Sequence, residues 1–389
     1  MPETSYIGRR GVNPLLFSHR ICFVSTGLGK GGAESQLFRA AAGLRARGLD
    51  VHVVSILSGD YYGPRLEQEG VPLACLDASR TTSPARILTR FLQYLKDVRP
   101  AALAGFDYPG SMLARVGGAV ARIPVVISSI RTENLGTSLR RHALAWTDSL
   151  ATVTTTNSES VARRLVDEGA ISRGRIRVIP NGLDVQTVSP ALRAGRSALR
   201  RSLGVEDTDF FWFAAGSLEA PKDYPNLLEA MALLAKTPTP IKLAVAGQGS
   251  LLGSLRERVV SLGLEPVVSF LGLREDVPAC MAAADGTVLA SAWEGLPNVV
   301  IESLAVGTPV VCTDVGGARE VVEHGRSGFV VPPQNPQALA AAMSALMATP
   351  EAQRQQLGAA GRRHVEKNFA LDSVLTRWSG LFEELLNVA

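Results

Sequence analysis

The sequence is poor in cysteine, histidine and aromatic residues, and it has no long uncharged apolar run. Its four cysteines, Cys22, Cys75, Cys280 and Cys312, form no CxxC pair and sit mostly in apolar stretches. That pattern argues against structural zinc and fits free, buried thiols in a reducing cytoplasm. The five histidines, among them His19, His52 and His142, form no spacing pattern and are assigned no role. No stretch reaches the roughly 18 uncharged apolar residues of a membrane-spanning helix, so no bilayer crossing is expected. Residues 1–17 contain an arginine pair but only a short apolar part and no small-residue cleavage site. They read as a flexible tail, not a signal peptide. Without a finger, an RNP-like aromatic motif or a dense basic run, nucleic acid is not an expected partner.

What is there suits two folded cores. The chain has 389 residues, 46% of them hydrophobic and 20% charged, which is long for one core and sufficient for two. Net charge is +4, unevenly spread: residues 1–187 hold 23 Lys/Arg against 15 Asp/Glu, and residues 188–389 hold 17 against 21. The basic first half suggests an anionic surface or an acidic acceptor, with ordinary solvated arginines as the plain alternative.

An aliphatic strand around Ile21–Ser25, a glycine-rich loop and a helix from Ala33 to Gly48 open the first domain. Strand, loop and helix in that order begin a doubly wound α/β sheet. Short aliphatic strands and amphipathic helices alternate up to "RIRVIPNGLD", and the same alternation restarts at "DFFWFAAGSL". Such near-continuous aliphatic strands predict parallel sheets covered on both faces. The domains expected are 18–187 and 206–370, joined by an arginine-rich linker over 188–205 and followed by a helix over 371–389.

In such sheets ligands sit at the carboxyl ends of strands, in the strand-to-helix loops. Gly31 and Gly32 precede the first helix, where small residues let a phosphate approach backbone N–H groups. The loop is not GxGxxG, and an ordinary turn explains it equally well. Lys222 lies in a loop of the second domain, where an ammonium can neutralise a diphosphate; a solvated lysine is the alternative. In "WEGLPNVVIESLAVGTPVV", Pro297 suits the first turn of a helix, which places Glu294 in the loop and Glu302 about one and a half turns into the helix. Their backbone separation, roughly 10–12 Å by helical rise, is too long for an acid/base pair on one glycosidic bond. It suits two hydroxyl-rich parts of one extended ligand, with the amides of Gly295, Leu296, Asn298 and Val299 between them. The alternative is an exposed Glu302 and a Glu294 placed for the helix dipole.

"EGLPNVVIESLAVGTPVVCTDVGGAREVVEHGRSGFVVPP" resembles the signature of the retaining GT-B glycosyltransferases of family 4. "GKGGAES", "TTTNSESVARRL", "RIRVIPNGLD", "GSLEAPKDYPNLLEA", "LAVAGQG" and "VVSFLGLREDVPACMAAADGTVLAS" are similar to the family's other segments, in the same order. The resemblance implies two Rossmann-like domains facing a central cleft, the first binding the acceptor and the second the nucleotide sugar, with the last helix packing back on the first. It implies that Glu294 holds donor-sugar hydroxyls, Glu302 the ribose and Lys222 the diphosphate, that the Gly31–Gly32 loop closes over the diphosphate, and that Leu271 and Arg274 lie near the base. It implies no cofactor and no metal. Two positions depart from the family: Ser217 replaces an arginine near the phosphate, and Arg131 replaces a histidine near the reacting sugar. An arginine cannot act as a base at neutral pH. It can stabilise a departing diphosphate or simply pair with Glu133.

The expected function is therefore retaining transfer of a hexose from a nucleotide sugar, UDP-linked in preference to GDP-mannose. The expected acceptor is a sugar or lipid-linked sugar of a surface polysaccharide or lipopolysaccharide, met in the cytoplasm or on the anionic cytoplasmic face of the membrane. The rivals are a nucleotide-sugar 2-epimerase, disfavoured by the sparse histidines, a nicotinamide oxidoreductase, disfavoured by the missing GxGxxG, and a catalytically impaired sugar-nucleotide-binding subunit.

Overall fold

The aliphatic runs become parallel strands, the inner ones buried on both faces and the edge strands only in part. The computed structural model describes residues 19–79 and 81–388, so the tail expected over 1–17 lies outside the described residues. The chain divides into two compact units: Met1–Gly182 with Leu371–Ala389, and Leu183–Ala370.

Among the described residues the first unit holds a seven-stranded parallel sheet: β1 (Arg20–Ser25), β2 (Asp50–Ser55), β3 (Leu73–Cys75), β4 (Ala102–Phe106), β5 (Val125–Ile130), β6 (Val153–Thr156) and β7 (Ile176–Val178). Their order is β3-β2-β1-β4-β5-β6-β7, so the direction of winding reverses between β1 and β4. Residue alternation along β1 sends Ile21 and Phe23 into one apolar layer and Cys22 and Val24 into the other. The helix Leu371–Val388 belongs to the first of these layers, with Trp378 and Phe382 set against Phe23. Gly43 on the helix Gly32–Ala46 lets that helix in close, since a Cβ there would lie 2.4 Å from the Leu375 side chain.

The second unit holds six parallel strands among the described residues: β8 (Phe210–Ala215), β9 (Ile241–Ala246), β10 (Val268–Gly272), β11 (Gly286–Leu289), β12 (Val310–Thr313) and β13 (Gly328–Val331). Their order, β10-β9-β8-β11-β12-β13, reverses between β8 and β11. Phe211 and Phe213 enter one layer, Phe210 and Trp212 the other.

The stretch 188–205, expected as a linker, is instead part of the second unit. Its arginines turn inward: Arg193 donates to the Gly307 carbonyl at 2.7 Å, and Arg196 and Arg200 share the Asp285 carboxylate at 2.6 and 2.9 Å. The partners lie more than 80 residues away in sequence, so composition alone makes this segment look solvated. The cysteines are free, with Cys22, Cys280 and Cys312 buried. Burial pushes the Cys22 and Cys312 thiols up to about 12. No helix among the described residues is long and apolar enough to cross a membrane.

Candidate active site

In the second unit, the loops that follow β8 and β11 emerge where the strand order reverses, which is where open α/β sheets place ligands. The β8 loop is held backbone to backbone against the β9 loop. Gly216 N donates to the Ala246 carbonyl at 3.0 Å and Leu218 N to the Gln248 carbonyl at 2.9 Å. Gly247 stands at φ +155°, and a Cβ there would lie 1.9 Å from Gly216 O, so no other residue fits. Asp223, at φ 43°, ends the short turn Ala220–Lys222 and starts the helix Tyr224–Leu234.

The β11 loop is tied to the same place by Ala292 N, which donates to Pro221 O at 2.9 Å. These constraints set Lys222 Nζ 2.5 Å from Glu294 Oε1, the oxygen that also accepts from Ser291 Oγ at 2.7 Å. The pair is mostly shielded, with side-chain exposures of 20% and 14%. In that setting the attraction is stronger than at an open surface. Beneath it Tyr224 donates to Gly216 O, and burial, reinforced by the charge of Glu294, pushes its phenol upward. Gly295 is pinned from the other side: Gly317 N donates to its carbonyl at 2.7 Å, and Gly316, at φ +51°, would place a Cβ 2.3 Å from it.

The other residues singled out in this unit lie on the β8 and β11 loops, on the helix after β11 and at the end of β10. Leu296 is buried in the core. Pro297 precedes the helix, with ψ 106°, so the helix is Asn298–Ala305 and Glu302 stands about one turn into it. This corrects the one and a half turns read from sequence, which counted Pro297 as helical. Asn298, Val299 and Glu302 are half-buried, and Ser217 is exposed. Leu271 is the last residue but one of the edge strand β10 and packs on the core. Arg274, just beyond it and two strands from β8, is forked onto Asp276 at 2.8 and 2.6 Å.

The first unit has a charged cluster at its own reversal point. Gly31 caps the helix Gly32–Ala46 at φ −130°, so its backbone does not require glycine. A Cβ would lie 2.1 Å from the carboxylate of Glu34, the mobile end of a side chain that would have to swing aside. Asp107 follows β4 at φ +56°, an uncommon conformation for a residue other than glycine. Arg131 follows β5 and is 8% exposed. It donates to Ser129 Oγ at 3.2 Å and Asn181 Oδ1 at 2.5 Å, and its guanidinium lies 5.2 Å from the Phe106 ring centroid. Burial pushes Arg131 down to about 10, opposed by Asp107, so it stays charged at neutral pH. Burial raises Asp107, opposed by Arg131, and raises Glu34, with Asp107 adding to the rise. Glu133, the alternative partner for Arg131, is paired with Arg164 at 3.3 Å. Asn181 is thus a hydrogen-bond partner of Arg131, and Gln36 clamps the neighbouring Gly182 through both the glycine's N–H and its carbonyl.

Residues 195–364 match the family model described as glycosyl transferases group 1, and residues 31–182 match the glycosyl transferase 4-like domain. The chain belongs to the GT-B glycosyltransferases of group 1, family 4. Mannosylfructose-phosphate synthase of Agrobacterium fabrum is 31% identical over 232 residues, 57% of this chain and 49% of that one. A second relative, UDP-Gal:alpha-D-GlcNAc-diphosphoundecaprenol alpha-1,3-galactosyltransferase of Escherichia coli, is 23% identical over 296 residues, 72% of this chain and 76% of that one. The chain spans about half the length of the first curated relatives it matches. Among solved structures, Anabaena Alr3699/HepE in complex with UDP-glucose shares the GT-B fold, with a TM-score of 0.80 at 23% identity over 94% of this chain and 100% of that one.

Proposed function

We propose that this chain is a retaining hexosyltransferase that draws its sugar from a nucleotide diphosphate sugar, UDP-linked in preference to GDP-mannose. The acceptor is a sugar or lipid-linked sugar of a surface polysaccharide or lipopolysaccharide, reached from the cytoplasm at the membrane face. The observation that carries this reading is the shielded Lys222–Glu294 pair at the strand-order reversal of the second unit. A single ammonium beside a single carboxylate offers what a nucleotide sugar presents, a dianionic diphosphate next to a ring of hydroxyls. The names of the relatives agree with it, since one transfers from UDP-Gal and a structural neighbour holds UDP-glucose.

On this reading the diphosphate draws Lys222 away from Glu294, and Glu294 turns to the donor-sugar hydroxyls. The backbone of Gly295, Leu296, Asn298 and Val299 lines the phosphates, Ser217 adds a neutral hydroxyl, and Glu302 accepts from the ribose. Leu271 and Arg274 border the base, and the Gly31–Gly32 loop serves the diphosphate. Arg131 supplies positive charge for the departing diphosphate. The bond from the anomeric carbon to the diphosphate breaks, the acceptor oxygen bonds to the same face, and its proton passes to the diphosphate. No metal has a part in this scheme.

A thermal-shift panel of UDP-, GDP-, ADP- and TDP-sugars, followed by release of free nucleotide with candidate acceptors, tests the proposal. UDP-sugars are expected to stabilise most, with an α-linked product by NMR. An inverted product would remove the retaining assignment. An epimer formed from the nucleotide sugar alone would establish the 2-epimerase instead.

A further inference from the structure

The helix Ser138–Trp146 in the first unit is amphipathic the wrong way round. Its residue Leu144 packs inward, and Arg115 donates to the Leu144 carbonyl at 2.7 Å. Leu139, His142, Ala143 and Trp146 follow the i, i+3, i+4, i+7 spacing that puts side chains on one helix face. That face points to solvent: Leu139 is 70% and Trp146 76% exposed, and Leu150, four residues further, is 37% exposed. A helix in a folded domain normally turns such a stripe to the core, and large exposed apolar patches mark interaction sites.

The charges beside the stripe point to one kind of partner. Residues 134–147 contain Arg140 and Arg141 and no Asp or Glu. Arg141 reaches Glu168 at 3.5 Å, while Arg140 stands over the Tyr108 ring. The nearest acidic residue along the chain, Asp148, is buried and accepts from Ser172 N. The surrounding stretch of sequence is also basic: residues 122–177 hold nine arginines, of which Arg131 is buried, against five acidic residues, of which Asp148 is buried. Two large apolar side chains and a leucine offer roughly 300–400 Å², well short of the ~800 Å² per partner that a stable protein interface buries. A second copy would also set Arg140 and Arg141 against their own like. A bilayer needs only shallow apolar insertion with basic flanks, and tryptophan favours that depth.

We propose that the helix Ser138–Trp146 docks this chain on an anionic lipid surface, with Leu139 and Trp146 entering the headgroup layer and Arg140 and Arg141, on the flanks of the helix, adding positive charge beside it. The inference deepens the proposed function by naming the part of the chain that meets the membrane. It stands or falls separately from transfer chemistry.

The test uses the full chain, with flotation on vesicles of phosphatidylcholine alone or with phosphatidylglycerol. Wild type should float with the anionic vesicles and remain below with the neutral ones. Leu139→Ser with Trp146→Ser should lower the floated fraction at least about tenfold while keeping the melting temperature and the UDP-induced shift. Arg140→Glu should weaken flotation and make what remains less sensitive to salt, because part of the screened attraction is gone. Tryptophan emission should shift to the blue on anionic vesicles, and Trp146→Phe should remove that shift. Wild type that stays below with both vesicles, or a double variant that floats as wild type does, overturns the proposal. A wild-type dimer that the double variant converts to monomer, without flotation, assigns the stripe to self-association and overturns it equally. Loss of the UDP shift in wild type would fail the proposed UDP-linked donor and leave the flotation result standing.

Discussion

Lys222 and Glu294 neutralise each other, so a diphosphate that recruits the lysine must part them, and the two residues can be separated by mutation. Lys222→Ala should weaken UDP binding roughly 10- to 100-fold, the worth of a charged hydrogen bond. Glu294→Gln should leave UDP binding intact or tighter, because it releases the ammonium, while lowering transfer by roughly 100-fold. Titration calorimetry with UDP beside a nucleotide-release assay distinguishes them, and equal losses of UDP affinity would mean that Glu294 serves only to aim Lys222. Asp107 allows a test of pH dependence. Its carboxyl is held above the ordinary range chiefly by burial, so the folded state disfavours its ionised form, and this penalty grows as pH rises from the unfolded value through the raised one. Asp107→Asn, which tolerates the same left-handed backbone, should therefore melt higher than wild type near pH 7 and lose that advantage on acidification. A melting difference independent of pH would show that the ionised carboxylate is not the cause. The sequence reveals Lys222 and Glu294 because each stands in a strand-to-helix loop. It hides Asp107 and Asn181, whose approach to Arg131 depends on β4, β5 and β7 ending at one edge of the same sheet.

Elements with apolar periodicity are legible, and those that pack by other means are not. The helix Glu351–Asn368 has no apolar stripe, and its buried residues are Gly358, Gly361 and Val365. It packs through missing side chains: a Cβ at Gly358 would lie 1.9 Å from Gly307 O, and one at Gly361 would lie 2.5 Å from the Leu304 side chain. A pattern search for hydrophobic residues cannot detect such a face. Strands β3 and β13 are three and four residues long, too short to show alternation. The loop that follows β12 carries the prediction at this scale. Gly316→Ala must both leave φ +51° and clear Gly295 O, so it should destabilise the second unit by about 1–3 kcal/mol and weaken UDP binding by displacing Gly295 and Glu294. Chemical denaturation and UDP titration check this, and unchanged UDP affinity in a destabilised variant would detach the loop from the donor site.

At the scale of the molecule, the first unit is completed by residues from the far end of its own sequence. Trp378 stacks on Phe106 at 5.9 Å and meets Phe23 edge-on at 5.9 Å, and Phe106 in turn lies under Arg131. Trp378→Ala should cost about 3–5 kcal/mol and lower the melting of the first unit by roughly 10 °C, with UDP binding by the second unit unchanged. Calorimetry with and without UDP checks it; a parallel loss of UDP affinity would refute the independence of the two effects. The second unit is in effect inserted into the first, and its ends meet where Leu183 N donates to Phe369 O at 2.8 Å. This order of the chain has a consequence for birth on the ribosome. The second unit can close as soon as residue 370 is clear of the exit tunnel, whereas the earlier-made sheet must wait, with Phe23 and Phe106 uncovered, until residues 371–388 follow. The half of the protein synthesised first is the half that finishes folding last, and it is the nascent-chain state in which chaperones would find exposed aromatic surface.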